Sequence, residues 1–479
     1  MSEGELIIKG GVVLQGPPLE QNFNRSDIRV RDGVVVEIGP DLEPSTPGTE
    51  VLDAHDAYVL PGFVDAHQHL WESTLRGVTA GGGFADFFFR IRIMHGAVHT
   101  ADDVYAGVYA GALTSLDAGT TTVVDHMHVV NSPDHAMAGL EALRRSGLRA
   151  RWSLGTSGGP VAEPVFADQS ARWDHARSVR SREFASQSSA DRVSMGLAIA
   201  DLGSYDWDTT RREYDLVREL DVHLTAHGNC FWGPRHPGEI EGLHRHGLLG
   251  ERQLYSHCNS SSDHELALLA ETGASMVSTP ETELQLGLGL PVFARAAAAG
   301  ARAGLGSDIQ ANNSPDMFTQ MRLAMHTVSA SVHQRQLDAG GTGTLQRPAL
   351  DPATVYHHAT LGSAEAIGLG DQVGSLEVGK AADVVLLRLS SLWHLPVIDP
   401  MATIVQHASV RDVETVVVGG DVVKRNGTLP AAQAREAAQL MAAAWERLEA
   451  QVAARGGVRP ELPDGLWDQV VDAVNTNMT

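Results

Sequence analysis

The sequence is short of cysteine, lysine and long apolar runs, and each shortage excludes something. Cys230 and Cys258 are the only cysteines in 479 residues. Two cannot build a disulfide framework, which fits a reducing, cytoplasmic setting. Lysine occurs only as Lys9, Lys380 and Lys424, so residues 60–370 hold none. No Schiff-base lysine, phosphate-loop lysine or carbamylated metal-bridging lysine can act from that stretch. No apolar run is long enough to span a bilayer. The first ten residues, MSEGELIIKG, lack the charged head and apolar stretch of a secretory signal. Basic residues are few as well: 36 Lys+Arg against 59 Asp+Glu give a net charge of −23. Such a field repels phosphate backbones and anionic lipid, so neither nucleic acid nor membrane is an expected partner. A small molecule is.

What is present has a clear order along the chain. The first 58 residues read as short strands, Glu5–Lys9, Asp27–Arg31 and Val34–Ile38, broken by Gly10-Gly11 and Asp32-Gly33. The same texture returns at Ala382–Leu387, Glu414–Val418 and Asp421–Lys424, with Gly419-Gly420 at a hairpin turn. Between these ends, apolar strands alternate with amphipathic helices. The strands are expected at Tyr58–Val64, Thr121–Asp125, Arg149–Leu154, Arg192–Ile199, Val222–Ala226, Gln253–Ser256, Ser275–Ser278 and Arg302–Gly306. Helices are expected at Asp102–Asp117, at Asp263–Glu271 behind an N-capping Ser262, and at Pro291–Ala299. Eight such units make an α/β fold, a (β/α)₈ TIM barrel, carrying a small composite β-sandwich built from both chain ends. The division expected is 1–58 with 372–430 for the sandwich, 59–371 for the barrel and 431–479 for a helical tail.

The motif with most chemical content is Pro61-Gly62-Phe63-Val64-Asp65-Ala66-His67-Gln68-His69. Side chains two apart on a strand share a face, so His67 and His69 can approach one metal ion together. His227 ends the fifth expected strand, His257 the sixth and Asp308 the eighth. Active sites of such barrels assemble at the carboxyl ends of the strands. Five imidazole and carboxylate groups meeting there suit zinc or iron(II), with one position open for water. By contrast Gly287-Leu288-Gly289, Gly304-Leu305-Gly306 and Gly379-Lys380 complete no nucleotide fingerprint and read as turns.

With these motifs the sequence resembles the amidohydrolase superfamily, in its cytosine-deaminase-like and chlorohydrolase-like branch. The resemblance runs through Pro61–His69, His257-Cys258, the Glu265–Ala274 run, Gly304–Asp308 with Asn312-Asn313, and Gly374–Asp383. It implies that His67, His69, His227 and Asp308 bind one divalent metal, zinc or iron. It further implies that His257 hydrogen-bonds the reacting water or the substrate, and that Asp308 also serves as the base. A bound cation brings water's pKa towards neutrality, so metal-bound hydroxide is the expected nucleophile. The lysine-free barrel sets the chain apart from the binuclear branch.

In one place the sequence departs from the family. Deaminases of this branch carry a glutamate three residues after the fifth-strand histidine, where this chain has Cys230. A thiol is a poor proton shuttle in that role. Glu281 and Glu283, after the seventh strand, are candidate replacements, each equally readable as a loop residue paired with an arginine. Trp71, Glu72, His126 and Trp232 are candidate substrate-binding residues, as is the Phe87-Phe88-Phe89 run for an apolar wall. Packing, or an ion pair of Glu72 with Arg76, is the competing reading for these.

The expected activity is hydrolysis of a C–N bond in a small cyclic, amide or amidine substrate by a mononuclear enzyme working as a homodimer or higher homo-oligomer. Carbamate, thiocarbamate or carbon–halogen hydrolysis is the alternative that Cys230 favours. A non-catalytic scaffold of the same fold is the second.

Overall fold

Gly62 divides what the sequence reads as one strand, Tyr58–Val64, into two strands that serve different sheets. A computed structural model of the protein describes residues 4–478, apart from 160, 163, 187, 189–190, 231–237, 343 and 345–346. Before the break lie β1 (Glu5–Leu14), β2 (Phe23–Arg31), β3 (Val34–Gly39), β4 (Glu50–Asp53) and β5 (Tyr58–Pro61). After it come β6 (Phe63–His69), β7 (Thr120–Met127), β8 (Arg149–Gly155), β9 (Val193–Ala198) and β10 (His223–Gly228). Then follow β11 (Gln253–His257), β12 (Ser275–Ser278), β13 (Arg302–Leu305) and β14 (Asp308–Ile309). Strands β15 (Val384–Leu387), β16 (Val413–Val418) and β17 (Asp421–Lys424) lie near the other end. A Cβ at Gly62 would stand 2.1 Å from Thr121 Oγ1, so the chain passes this point only as glycine.

Strands β6 to β14 pair in parallel in the order β13-β12-β11-β10-β9-β8-β7-β6-β14. Strands β13 and β14 are pieces of one interrupted strand, since β13 pairs with β12 while β14 pairs with β6. The sheet thereby curls into a barrel of eight strand positions, the TIM-barrel-like α/β architecture. Most of its strands are buried along their whole length, as parallel strands covered on both faces must be. Ser262 caps the Asp263–Thr272 helix as the sequence leads one to expect, accepting from Glu265 N while the Glu265 carboxylate reaches back.

The other sheet runs β17-β16-β15-β5-β1-β2-β3, with β4 on β1. Strand β5 joins the two ends of the chain, pairing in parallel with β1 and antiparallel with β15. Ile8, Val13, Ile28, Val59, Val384 and Leu386 bury one face of it. Arg149, at the start of β8, ties the barrel to this sheet through a buried fork to Asp383, at 2.8 and 3.0 Å. The long helix Ala431–Ala453 lies against Ala101–Asp117, where Arg447 Nη2 meets Asp103 Oδ1 at 2.7 Å.

Candidate metal centre

The site is a set of strand ends. His67 and His69 project from the same face of β6, and their Nε2 atoms stand 3.2 and 3.3 Å from Asp308 Oδ1. Each imidazole is held by its other nitrogen. His67 Nδ1 meets Ser256 Oγ at 2.8 Å, and His69 Nδ1 meets the His126 carbonyl at 2.8 Å. His227, on β10, gives its Nδ1 to Asp201 Oδ1 at 2.6 Å. Anchoring one ring nitrogen on a carbonyl, hydroxyl or carboxylate leaves Nε2 for a metal, the usual outer support of a ligating histidine.

Two properties of these donors fit a divalent ion. Zinc donors at about 2.0–2.1 Å and tetrahedral angles stand about 3.3 Å from one another, close to the separations seen here. His67 Nε2 is buried and makes no well-formed hydrogen bond, as a donor kept for an ion would be. The donor atoms of His67, His69 and Asp308 all lie within 4.8 Å of one another, as do those of His67, His227 and His257. Burial keeps His67 neutral, its pKa pushed down to about 4, which leaves the ring in the form that ligates. Burial opposes the charge on Asp308, but the imidazoles of His67 and His69 beside it hold its carboxyl well below the usual range.

The backbone is bent to present the last two groups. His257 and Asp308 have φ of +74° and +65°, the left-handed region that costs a side chain with a Cβ. Gly306 makes room for the second bend, because a Cβ there would stand 2.8 Å from the His67 carbonyl oxygen. His257 Nε2 then lies 3.8 Å from Asp308 Oδ2. Its Nδ1 faces Thr279 Oγ1 at 3.0 Å and Glu283 Oε1 at 3.5 Å.

The two candidate glutamates are separated by this geometry. Glu283 is fully buried behind His257, accepts from Thr279 N at 2.8 Å, and has its pKa raised by burial. Glu281 turns the other way on the same short helix, Pro280–Leu286, and accepts from Gln320 Nε2 at 3.1 Å. It does not line the cavity.

The other candidates are placed less evenly. Glu72 is buried 3.8 Å from His128 Nε2, with neither carboxyl oxygen hydrogen-bonded and its pKa raised well above the usual range by burial. No ion pair with Arg76 forms. That guanidinium bonds Thr114 and Gln310 instead. Trp71 does not line the cavity: its indole is buried and donates to His128 Nδ1 at 2.9 Å. His126 stacks on His227 with ring centres 4.6 Å apart, also behind the lining. Trp232 lies outside the described residues. Cys230 is buried, and burial pushes its thiol pKa well up, so the group stays protonated.

A narrow cavity lies over these groups. Phe84, Phe87 and Phe88 wall one side, Leu286 and Leu288 another, and His128, Asp201 and Arg92 take part. Of the Phe87–Phe89 run, the first two reach the cavity. Free space is about 20 Å³, room for about one water. Arg92 and Phe84 belong to the stretch after the first barrel strand, and no spacing rule marked them. Asp201 is the support for His227 and needs no second metal to explain it.

Comparison with known proteins agrees with this picture. The model of the amidohydrolase family matches residues 58–423. A 5-methylthioadenosine/S-adenosylhomocysteine deaminase of Halobacterium salinarum is 30% identical over 433 residues, 86% of this chain and 92% of that protein. A solved adenosine deaminase of Xanthomonas campestris with bound zinc is similar in fold, with a TM-score of 0.77 at 24% identity, covering 92% of this chain and 98% of that one. Atrazine chlorohydrolase of Arthrobacter aurescens, complexed with zinc, gives 0.76 at 21%, covering 92% and 100%.

Proposed function

The chain belongs to the amidohydrolase family, and from that premise we propose that it is a mononuclear zinc hydrolase releasing ammonia or an amine from a ring amidine of a small heterocycle. The observation that carries this reading is the approach of His67 Nε2 and His69 Nε2 to Asp308 Oδ1 at 3.2 and 3.3 Å. The deaminase names of the curated relatives support the class of bond.

His67, His69, His227 and Asp308 would hold the ion. When bound, it would lower the pKa of a water towards neutrality and so supply a nucleophile. Asp308 would take that water's proton through its second carboxylate oxygen. His257 Nε2 faces the same carboxylate and carries the proton destined for the leaving nitrogen. Glu283 acts through His257, holding charge on the ring from behind, and so stands in for the glutamate that Cys230 replaces. Phe84, Phe87, Phe88, Leu286 and Leu288 keep bulk water away from these transfers.

Cys230 favours one second reading, hydrolysis of a carbamate, thiocarbamate or carbon–halogen bond, whose leaving group needs less proton assistance. Purified protein should contain about one zinc per chain, lose activity to a chelator and regain it with zinc. Ammonia or amine release from aminopurine nucleosides and other amino heterocycles, beside halide release and carbamate cleavage, separates the two readings. Undiminished turnover in chelated protein would overturn both.

For the remaining architecture we read 1–58 with 372–430 as one composite β-sandwich, 59–371 as the barrel and 431–479 as the tail. The double pairing of β5 supports this division. Leu392, Trp393, Leu395 and Ile398, exposed on one loop, support association into a homodimer or larger homo-oligomer. A cytoplasmic setting is supported by two unbridged cysteines. No helix among the described residues is long and apolar enough to cross a membrane.

A further inference from the structure

Resting on the hydrolase reading of the site, we propose that Arg92 is its substrate-recognition residue: the guanidinium receives an anionic oxygen, such as a carboxylate, borne by a small planar substrate.

The cavity is chemically two-sided. His69, His227, His257 and Asp308 occupy one part, and phenylalanine and leucine side chains form the walls. Arg92 is the one arginine or lysine among its described lining residues. A ring between those walls, with its reacting carbon at the histidines, would present its remaining substituents to Arg92.

Arg92 has room for such a partner. Among the described residues, none makes a hydrogen bond or a close ion pair with its guanidinium. The nearby carboxyls are engaged otherwise. Asp201 Oδ1 is taken by His227 Nδ1, and Glu72 is driven towards its neutral form by burial. Burial also works against the charge on Arg92, with Asp201 opposing this from a distance. Arg92 is half-buried, and a partly desolvated guanidinium without a contacting anion is unfavourable. A ligand oxyanion supplies the missing partner, and the planar fork of donors accepts it with two parallel bonds.

The segment that carries Arg92 is built for position. Phe88–His95 is a π-helix, a wide turn found frequently at functional sites. The C-terminal tail clamps it. Arg90 Nε donates to the Pro460 carbonyl at 3.1 Å, and His95 Nε2 meets the Val458 carbonyl at 3.0 Å. Trp467 sets its ring edge-on to Phe84, 5.3 Å between centres. Asn131 Nδ2 holds the far end through the Gly96 carbonyl at 2.9 Å. These contacts fix the stretch that carries Arg92 at the edge of the cavity.

Benzoate and benzamide are planar, nearly isosteric and inert, differing in the charge of one group. Calorimetric titration of the full chain, zinc-loaded and chelator-treated, should show benzoate binding about tenfold or more tightly than benzamide. Arg92→Gln should reduce that preference to within about twofold, and Arg92→Lys should keep part of it. The chelated protein should retain the Arg92-dependent preference, so this result is readable even if the zinc assignment fails. Equal binding of the two probes, or no binding of either at millimolar concentration, would overturn the proposal. So would a benzoate preference unchanged in Arg92→Gln and confined to zinc-loaded protein, which would place the carboxylate on the ion. If Arg92→Gln fails to fold, Arg92→Met carries the test: a benzoate preference equal to that of wild type would assign Arg92 to structure alone.

Discussion

His257 bridges two carboxylates: its Nδ1 stands 3.5 Å from Glu283 Oε1 and its Nε2 3.8 Å from Asp308 Oδ2. Burial alone would keep this imidazole neutral, but the two carboxylates overcome it and raise its pKa. The neighbouring candidate ligands His67, His69 and His227 shift downward through burial. A histidine that keeps its proton beside others that have lost theirs is the group suited to protonate a leaving nitrogen.

Glu283→Gln should therefore lower kcat by about 10–100-fold. Without the buried carboxylate, the protonated ring loses support and its pKa falls. The alkaline limb of the kcat/KM profile should move to lower pH. Glu281→Gln, on a residue bonded to Gln320, and Cys230→Ala should each stay within about twofold of wild type. Steady-state rates across pH for the three variants check this, and a slow Glu281→Gln beside an unchanged Glu283→Gln would reverse the assignment.

Asp308→Asn keeps the shape and one oxygen donor but removes both charge and basicity. Turnover should fall by about 10²–10⁴-fold. Zinc content per chain, measured on the same sample, tells loss of the base from loss of the ion. Activity near wild type in a zinc-replete variant would exclude Asp308 as the base.

Glu213 gives the chain a pH-dependent stability. Burial raises its pKa from 4.5 to about 7, although Thr156 Oγ1 donates to it at 2.7 Å. Between those two values the folded state holds a proton that the unfolded chain has released. Stability is thus lost as pH rises through this window, by up to about 3 kcal/mol. Glu213→Gln keeps an accepting oxygen and removes the titration. Its melting temperature relative to wild type should increase from pH 5 to pH 8, and a difference independent of pH would refute the argument.

The fork between Arg149 and Asp383 joins the barrel to the mixed sheet and is buried on both sides. Replacing Asp383 alone by Leu strands a buried cation and should cost about 3–5 kcal/mol. Adding Arg149→Met should recover much of that loss, because no charge then remains to be neutralised. Denaturant unfolding of the two variants decides it. Equal losses in both would mean that packing rather than charge sets the cost.

The clustering of the five candidate side chains was legible before the fold because it depends on short-range geometry. A strand places His67 and His69 on one face whatever surrounds it, and parallel barrel strands bring His227, His257 and Asp308 to the same rim. The cap at Ser262 and the turn at Gly419-Gly420 are equally local. Choosing between Glu281 and Glu283 is a different problem. Two residues apart on a helix they point about 200° from each other, and which one faces inward depends on how that single turn docks against His257 and Gln320. Gly62 was likewise silent as a strand break, since it reflects the side chain of Thr121 pressing from the neighbouring strand. Arg92 was least legible of all. Its place over the site is set by a π-helix pinned to Val458 and Pro460, more than 360 residues further along the chain. Periodicity and strand-end position are properties of the sequence itself, because backbone geometry repeats every few residues. Which side chain finally covers the site is decided by contacts between distant segments, and no local spacing encodes them.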